Sequence, residues 1–173
     1  MNDAHSRDRL LRAMNSIPPD LDSVLDVFGI RKRETILRGP SALIVHREPG
    51  KPVIIEVNAT DPEPAKRFAV AYELMRWIVG REKLQAQSTG RRSGGVMKPV
   101  RHDTPLPQER GETDSSTGIP IARLMLLATD TLMPKKSLRE LLIENGGDTR
   151  AAAAAFGVNE EVVRLRAKAM RLP

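Results

Sequence analysis

A chain of 173 residues with a net charge of +6 is long enough for one medium-sized domain with a core and too short for two full ones. Zero cysteines exclude disulfides and thiolate metal sites, and three scattered histidines (His5, His46 and His102) exclude a histidine cluster formed by proximity along the chain. No apolar run approaches the length of a membrane span and no charged-then-apolar leader opens the chain, so the expectation is a cytoplasmic protein without a membrane partner.

Taken from the start, Asp8 to Met14 form a short amphipathic helix with Leu10, Leu11 and Met14 on one side. Ile17-Pro18-Pro19-Asp20 interrupts it. Asp20 or Asp22 caps a second helix over Leu21, Val24, Leu25 and Phe28, closed by Gly29, and Ile30 leads into a polar turn. Ser41–His46 and Pro52–Asn58 are β-branched runs separated by Glu48-Pro49-Gly50-Lys51, which predicts an antiparallel hairpin. His46, at the end of the first run, reads as a half-exposed surface residue, since no histidine or carboxylate lies at a spacing that would make it a ligand.

Lys66 to Gly80 carry Phe68, Ala71, Tyr72, Leu74, Met75 and Ile78 three and four apart, the period of a largely buried helix, with the prolines of the preceding loop placed for its first turn and Gly80 as its end. From Arg81 to Gly118 the apolar period disappears and a flexible loop or linker is expected. Its Gly90-Arg91-Arg92-Ser93-Gly94-Gly95 patch suits contact with phosphates, although no aromatic residue is interleaved to stack on bases. Ile121 to Leu132 is a strongly apolar helix stopped by Met133-Pro134. Asp148-Thr149 cap a helix through Ala151 to Phe156, Gly157-Val158-Asn159 make a turn, and Glu160 to Met170 form the next helix. Ala153, Gly157 and Val163 have the spacing of a helix-turn-helix, and Arg164, Arg166 and Lys168 on the second helix are the candidate nucleic-acid contacts.

Two stretches resemble the ImmA/IrrE (DUF955) family of zinc metallopeptidases. Phe68-x-x-Ala71-Tyr72-Glu73-Leu74-Met75-Arg76 occupies the frame of that family's Arg-Phe-Thr-Leu-Ala-His-Glu-Leu-Gly-His helix, and Leu127-Ala128-Thr129-Asp130-Thr131-Leu132-Met133-Pro134 is similar to its Phe-Ala-Ala-Glu-Leu-Leu-Met-Pro signature. The order of helix, small sheet and central helix, from about residue 17 to 80, also matches. The resemblance implies an α+β, mostly helical zincin-like domain with a small antiparallel sheet and a helix-turn-helix-like C-terminus. It divides as 1–80 (helices, hairpin and degenerate active-site helix), 81–118 (loop) and 119–173 (helical remainder), one compact domain in all.

In an active member, two imidazoles one turn apart hold zinc and the intervening glutamate deprotonates the bound water. Here Tyr72 and Arg76 stand at the histidine positions. A phenol is a poor ligand near neutral pH and a guanidinium repels a dication. Where the family places its third ligand, the neighbourhood of Ile121 to Met125 holds no carboxylate. Glu73, at the general-base position, is the survivor, with Arg76 and Arg123 as cations available to neutralise it. The implied function is a catalytically inactive, zinc-free metallopeptidase-like protein. It binds another protein, a helix-turn-helix repressor or a mobile-element or stress regulator, with Tyr72, Glu73, Arg76 and Arg123 as the binding residues. Trp77 reads more simply as core. The alternatives are a DNA-binding regulator working through the C-terminal helices, and an active zinc peptidase that borrows His46 or His102.

Overall fold

The computed structural model describes residues 3–45, 52–87, 112–115 and 117–172. Among these the chain is α+β and mostly helical, with seven helices and a small mixed sheet. No helix among them is long and apolar enough to cross a membrane. His46, His102 and the Gly90–Gly95 patch lie outside the described residues.

Helix α1 (Asp3–Asn15) leads to α2 (Leu21–Val27). The Asp20 carboxylate accepts a hydrogen bond from the Ser23 N–H at 3.1 Å, the expected N-cap, and Gly29 ends the segment with φ of +67°. Strand β1 (Ile30–Thr35) follows where a polar turn was expected. Only its first residue, Ile30, is buried, so no alternation of apolar and polar residues marks it as a strand. Strands β2 (Ala42–Val45) and β3 (Val53–Asn58) form the expected antiparallel hairpin, with Ala42 opposite Val57. The sheet is nonetheless mixed rather than antiparallel, because β1 pairs parallel to the other side of β3, in the order β1-β3-β2. A cross-strand ion pair, Arg33 with Glu56, sits directly on that register.

Helix α3 (Glu63–Gln87) is the axis of the molecule, and packs against α2, β2, β3 and α4. Ala69, Val70, Ala71, Tyr72, Leu74 and Trp77 are buried along it. It begins three residues before the expected start and runs seven past Gly80, which is buried inside the helix instead of closing it. Glycine ends a helix where the chain must turn left-handed; mid-helix it is merely a weak position, and here the packing holds the helix through it. Trp77 is a core residue: it meets Phe28 edge-on with ring centroids 6.0 Å apart, and the Arg81 guanidinium lies 5.3 Å from its ring centre.

Helix α4 (Ile121–Leu132) matches its sequence expectation, and α5 (Lys135–Glu144) follows directly after Pro134, an element the sequence reading did not include. Helices α6 (Thr149–Phe156) and α7 (Glu160–Ala169) are joined through Gly157. Asp148 caps α6, accepting from the N–H groups of Arg150 and Ala151. Gly157 is left-handed, φ +63°, and a methyl group there would approach the Cδ of Arg67 to 3.2 Å. Arg67 in turn donates to the Pro19 carbonyl at 2.8 Å, so one arginine of α3 touches both the entry to α2 and the α6–α7 turn.

Gly157→Ala therefore combines a left-handed backbone strain with a close contact, and the expected cost is about 1–2 kcal/mol. Urea denaturation checks this: the midpoint falls while the slope stays unchanged.

Candidate functional site

The motif residues of α3 come together in the interior. Tyr72 and Glu73 are fully buried and Arg76 is 1% exposed. Glu73 and Arg76 lie one turn apart on the same face of the helix, and Arg76 Nη1 donates to both oxygens of Glu73, at 3.3 and 3.2 Å. The other edge of the guanidinium is taken by a second carboxylate: Arg76 Nε lies 3.0 Å from Asp114 Oδ2, and Asp114 is 3% exposed. A buried guanidinium thus stands between two buried carboxylates, one from its own helix and one from a segment 38 positions on.

Asp114 arrives there by a tight turn. Its N–H donates to the Ile119 carbonyl at 2.9 Å, Gly118 donates back to the Asp114 carbonyl at 2.7 Å, and Thr113 and Pro120 form a β-bridge. Gly118 has φ +62°, the conformation that glycine reaches without strain. The second carboxylate oxygen, Oδ1, accepts from the Thr117 N–H at 2.8 Å and the Thr117 hydroxyl at 2.9 Å. Ile121, the first residue of α4, donates to the Glu112 carbonyl at 2.9 Å, so the turn is fastened to the helix it precedes. Residues 81–87, expected as part of the 81–118 loop, are the end of α3, and residues 112–115, 117 and 118 of the same expected loop belong to this turn.

Burial raises the Tyr72 phenol well above its ordinary pKa, and the negative charges of Asp114 and Glu73 push it further in the same direction, against the opposing influence of Arg76. It is protonated throughout the physiological range.

The remaining predicted residues separate from this cluster. Arg123 is exposed on α4, and the cation that pairs with Glu73 is Arg76. Arg164 and Lys168 are exposed one turn apart on α7, and Arg164 forms a 2.7 Å ion pair with Glu160. Hydrogen bonds from Thr149 and Arg164, with the positive charge of Arg164 and Arg150, hold the Glu160 carboxyl below its usual range. Arg166 points the other way, to an ion pair with Asp130 of α4, with 12% of its side chain exposed. Asp114 is the residue that the sequence reading missed. Its signal is short: Asp-x-x-Thr-Gly, an aspartate able to cap its own turn ahead of a glycine.

No protein-family model and no curated protein sequence matches the chain.

Arg76→Met removes the guanidinium that pairs with both Glu73 and Asp114 and leaves two buried carboxylates without that cation. The expected destabilisation is about 3–5 kcal/mol. The triple variant Glu73→Gln/Arg76→Met/Asp114→Asn, which removes all three charges, is expected to recover most of that loss in thermal or urea unfolding, and a triple variant no better than the single one would show that the charges are not coupled.

Proposed function

We propose that the chain is a catalytically inactive, zincin-like protein of ImmA/IrrE type that works by binding another protein, a helix-turn-helix repressor or a regulator of a mobile element or stress response. The observation that carries this reading is Arg76. At the position where an active member would hold its second zinc-binding imidazole stands a guanidinium that is buried and bound on two edges by Glu73 and Asp114. These residues do not fit a zinc ion. A dication in this place would face a fixed cation, the phenol of Tyr72 keeps its proton, and the carboxylate at the general-base position is already bound to Arg76. The cluster is a structural lock across α3 and the 112–120 turn. Being buried, Tyr72, Glu73 and Arg76 are not available to touch a partner, and Arg123 is the exposed member of the expected binding set.

Elemental mass spectrometry on protein purified without a histidine tag and without chelator tests the reading. The expected content is far below one zinc per chain, and near-stoichiometric zinc would overturn it. The Tyr72→His/Arg76→His variant restores two imidazoles one turn apart beside Glu73 and Asp114, and is expected to take up zinc that the parent does not. A folded double variant that ignores zinc would count against descent from a metallopeptidase site.

A second reading, DNA binding through α6 and α7, rests on the Gly157 turn and on Arg164 and Lys168, which share the exposed face of α7. Two features weigh against it. Glu160 and Glu161 occupy the first turn of α7, the end that such a helix presents to base edges, and Arg166 is committed to Asp130. In fluorescence anisotropy with duplex DNA at low salt, Arg164→Ala/Lys168→Ala is expected to leave binding unchanged. A loss of affinity on substitution, together with a steep fall as salt rises, would favour the DNA reading.

A further inference from the structure

Helix α4 has two faces. Leu124, Met125, Ala128 and Leu132 are buried, whereas Ala122, Arg123, Leu126 and Asp130 are exposed. At about 100° per residue these four fall within a sector about 100° wide, a stripe along the outer side of the helix. Leu126, in the middle of it, is 50% exposed. Beside the stripe lies an apolar recess of about 230 Å³ between α4 and α7, its walls including Ala122, Met125, Leu126, Leu165 and Ala169. Leu165, on the α7 side, is 40% exposed.

The charges on the stripe are placed for a copy of itself. Arg123 and Asp130 are seven residues apart, two turns and about 10 Å along the axis, and within about 20° of each other around it. Their midpoint falls between Leu126 and Leu127. When two α4 helices cross antiparallel about a two-fold axis at that midpoint, Arg123 of each copy meets Asp130 of the other, twice over by symmetry, and the two Leu126 side chains flank the axis next to the recesses. A guanidinium seven positions ahead of a carboxylate with an exposed leucine between them is self-complementary in this arrangement, and it brings like charges together when the helices run parallel. Asp130 has the capacity for a second cation: Arg166 binds Oδ1, and the side chain stays 48% exposed.

We propose that the outer face of α4, with the adjoining α7 recess, is a homodimer interface, and that the occupant of the recess is a second copy of this chain. Arg123 sets its register. The interface shares no residue with the Glu73, Arg76 and Asp114 cluster.

Light scattering and sedimentation across a concentration series test this with the full chain. The expected mass rises from 19.1 kDa to twice that value with increasing concentration, and falls back as salt is added. Arg123→Glu makes both contact positions acidic and is expected to give a monomer; Asp130→Lys makes both basic and is expected to do the same. Mixed in equal amounts, the two variants are expected to form a heterodimer. Because Asp130→Lys also removes the partner of Arg166, Leu126→Glu serves as an independent probe: its side chain is half exposed, so the fold is retained while the dimer is lost. A wild-type chain that stays monomeric at every concentration overturns the proposal, and so does a dimer indifferent to both Arg123→Glu and Leu126→Glu.

Discussion

The guanidinium of Arg76 is the constraint around which the interior is arranged. A fully buried cation is tolerated only where opposite charge and hydrogen-bond acceptors replace the water it has lost. Glu73, one turn earlier on α3, supplies part of that replacement without any tertiary structure. Asp114, from elsewhere in the chain, adds a second carboxylate, itself held by Thr117 on its other oxygen. The turn that carries Asp114 is therefore held by the bond between Glu112 and the start of α4 and by a charge in the core. Helix α4, which follows the turn, also packs directly on α3.

Buried ion pairs of this kind contribute little net stability against an apolar alternative, because desolvation offsets most of the attraction. What they contribute is intolerance of error. An apolar core can slide by a fraction of a side chain at small cost, whereas a displaced Asp114 would take from Arg76 the carboxylate that meets its Nε. The arrangement also makes the position of the 112–120 turn, and through it the start of α4, a matter of charge placement.

Much of this architecture was legible in the residues because it is local. The Asp20 and Asp148 caps, the left-handed Gly29 and Gly157, the β2–β3 hairpin and the length of α4 all follow from side chains within a few positions of the feature they control. The failures share a cause. Strand β1 is an edge strand with one buried residue, so the parallel pairing that stabilises it leaves no period in its own sequence. The continuation of α3 through Gly80 is a tertiary effect overriding a weak local preference. Asp114 is the clearest case: a charged residue in a Gly-, Ser- and Thr-rich stretch looks solvated, and the reason for its burial lies 38 positions away on another element. The resemblance over residues 72 to 76 implied that an arginine stands where that family holds a metal ligand, but the frame alone could not say which carboxylates would answer it.

The division of labour among the arginines follows from where each meets a carboxylate. Arg76 is enclosed and structural. Arg166 is turned inward by Asp130, which removes it from the exposed face of α7 and fastens that helix to α4. Arg123 lies outward on α4, on the opposite side from the core. A positive charge on an exposed helix face needs no partner, since water solvates it well; its meaning depends on its neighbours. Here the neighbours are a half-exposed leucine and, two turns on, a carboxylate that already holds one cation. Helix α4 thus faces two ways. Its inner side closes the core over α3, its outer side carries apolar and charged groups in a symmetric order, and the pair of Arg166 and Asp130 couples that outer side to the C-terminal helices.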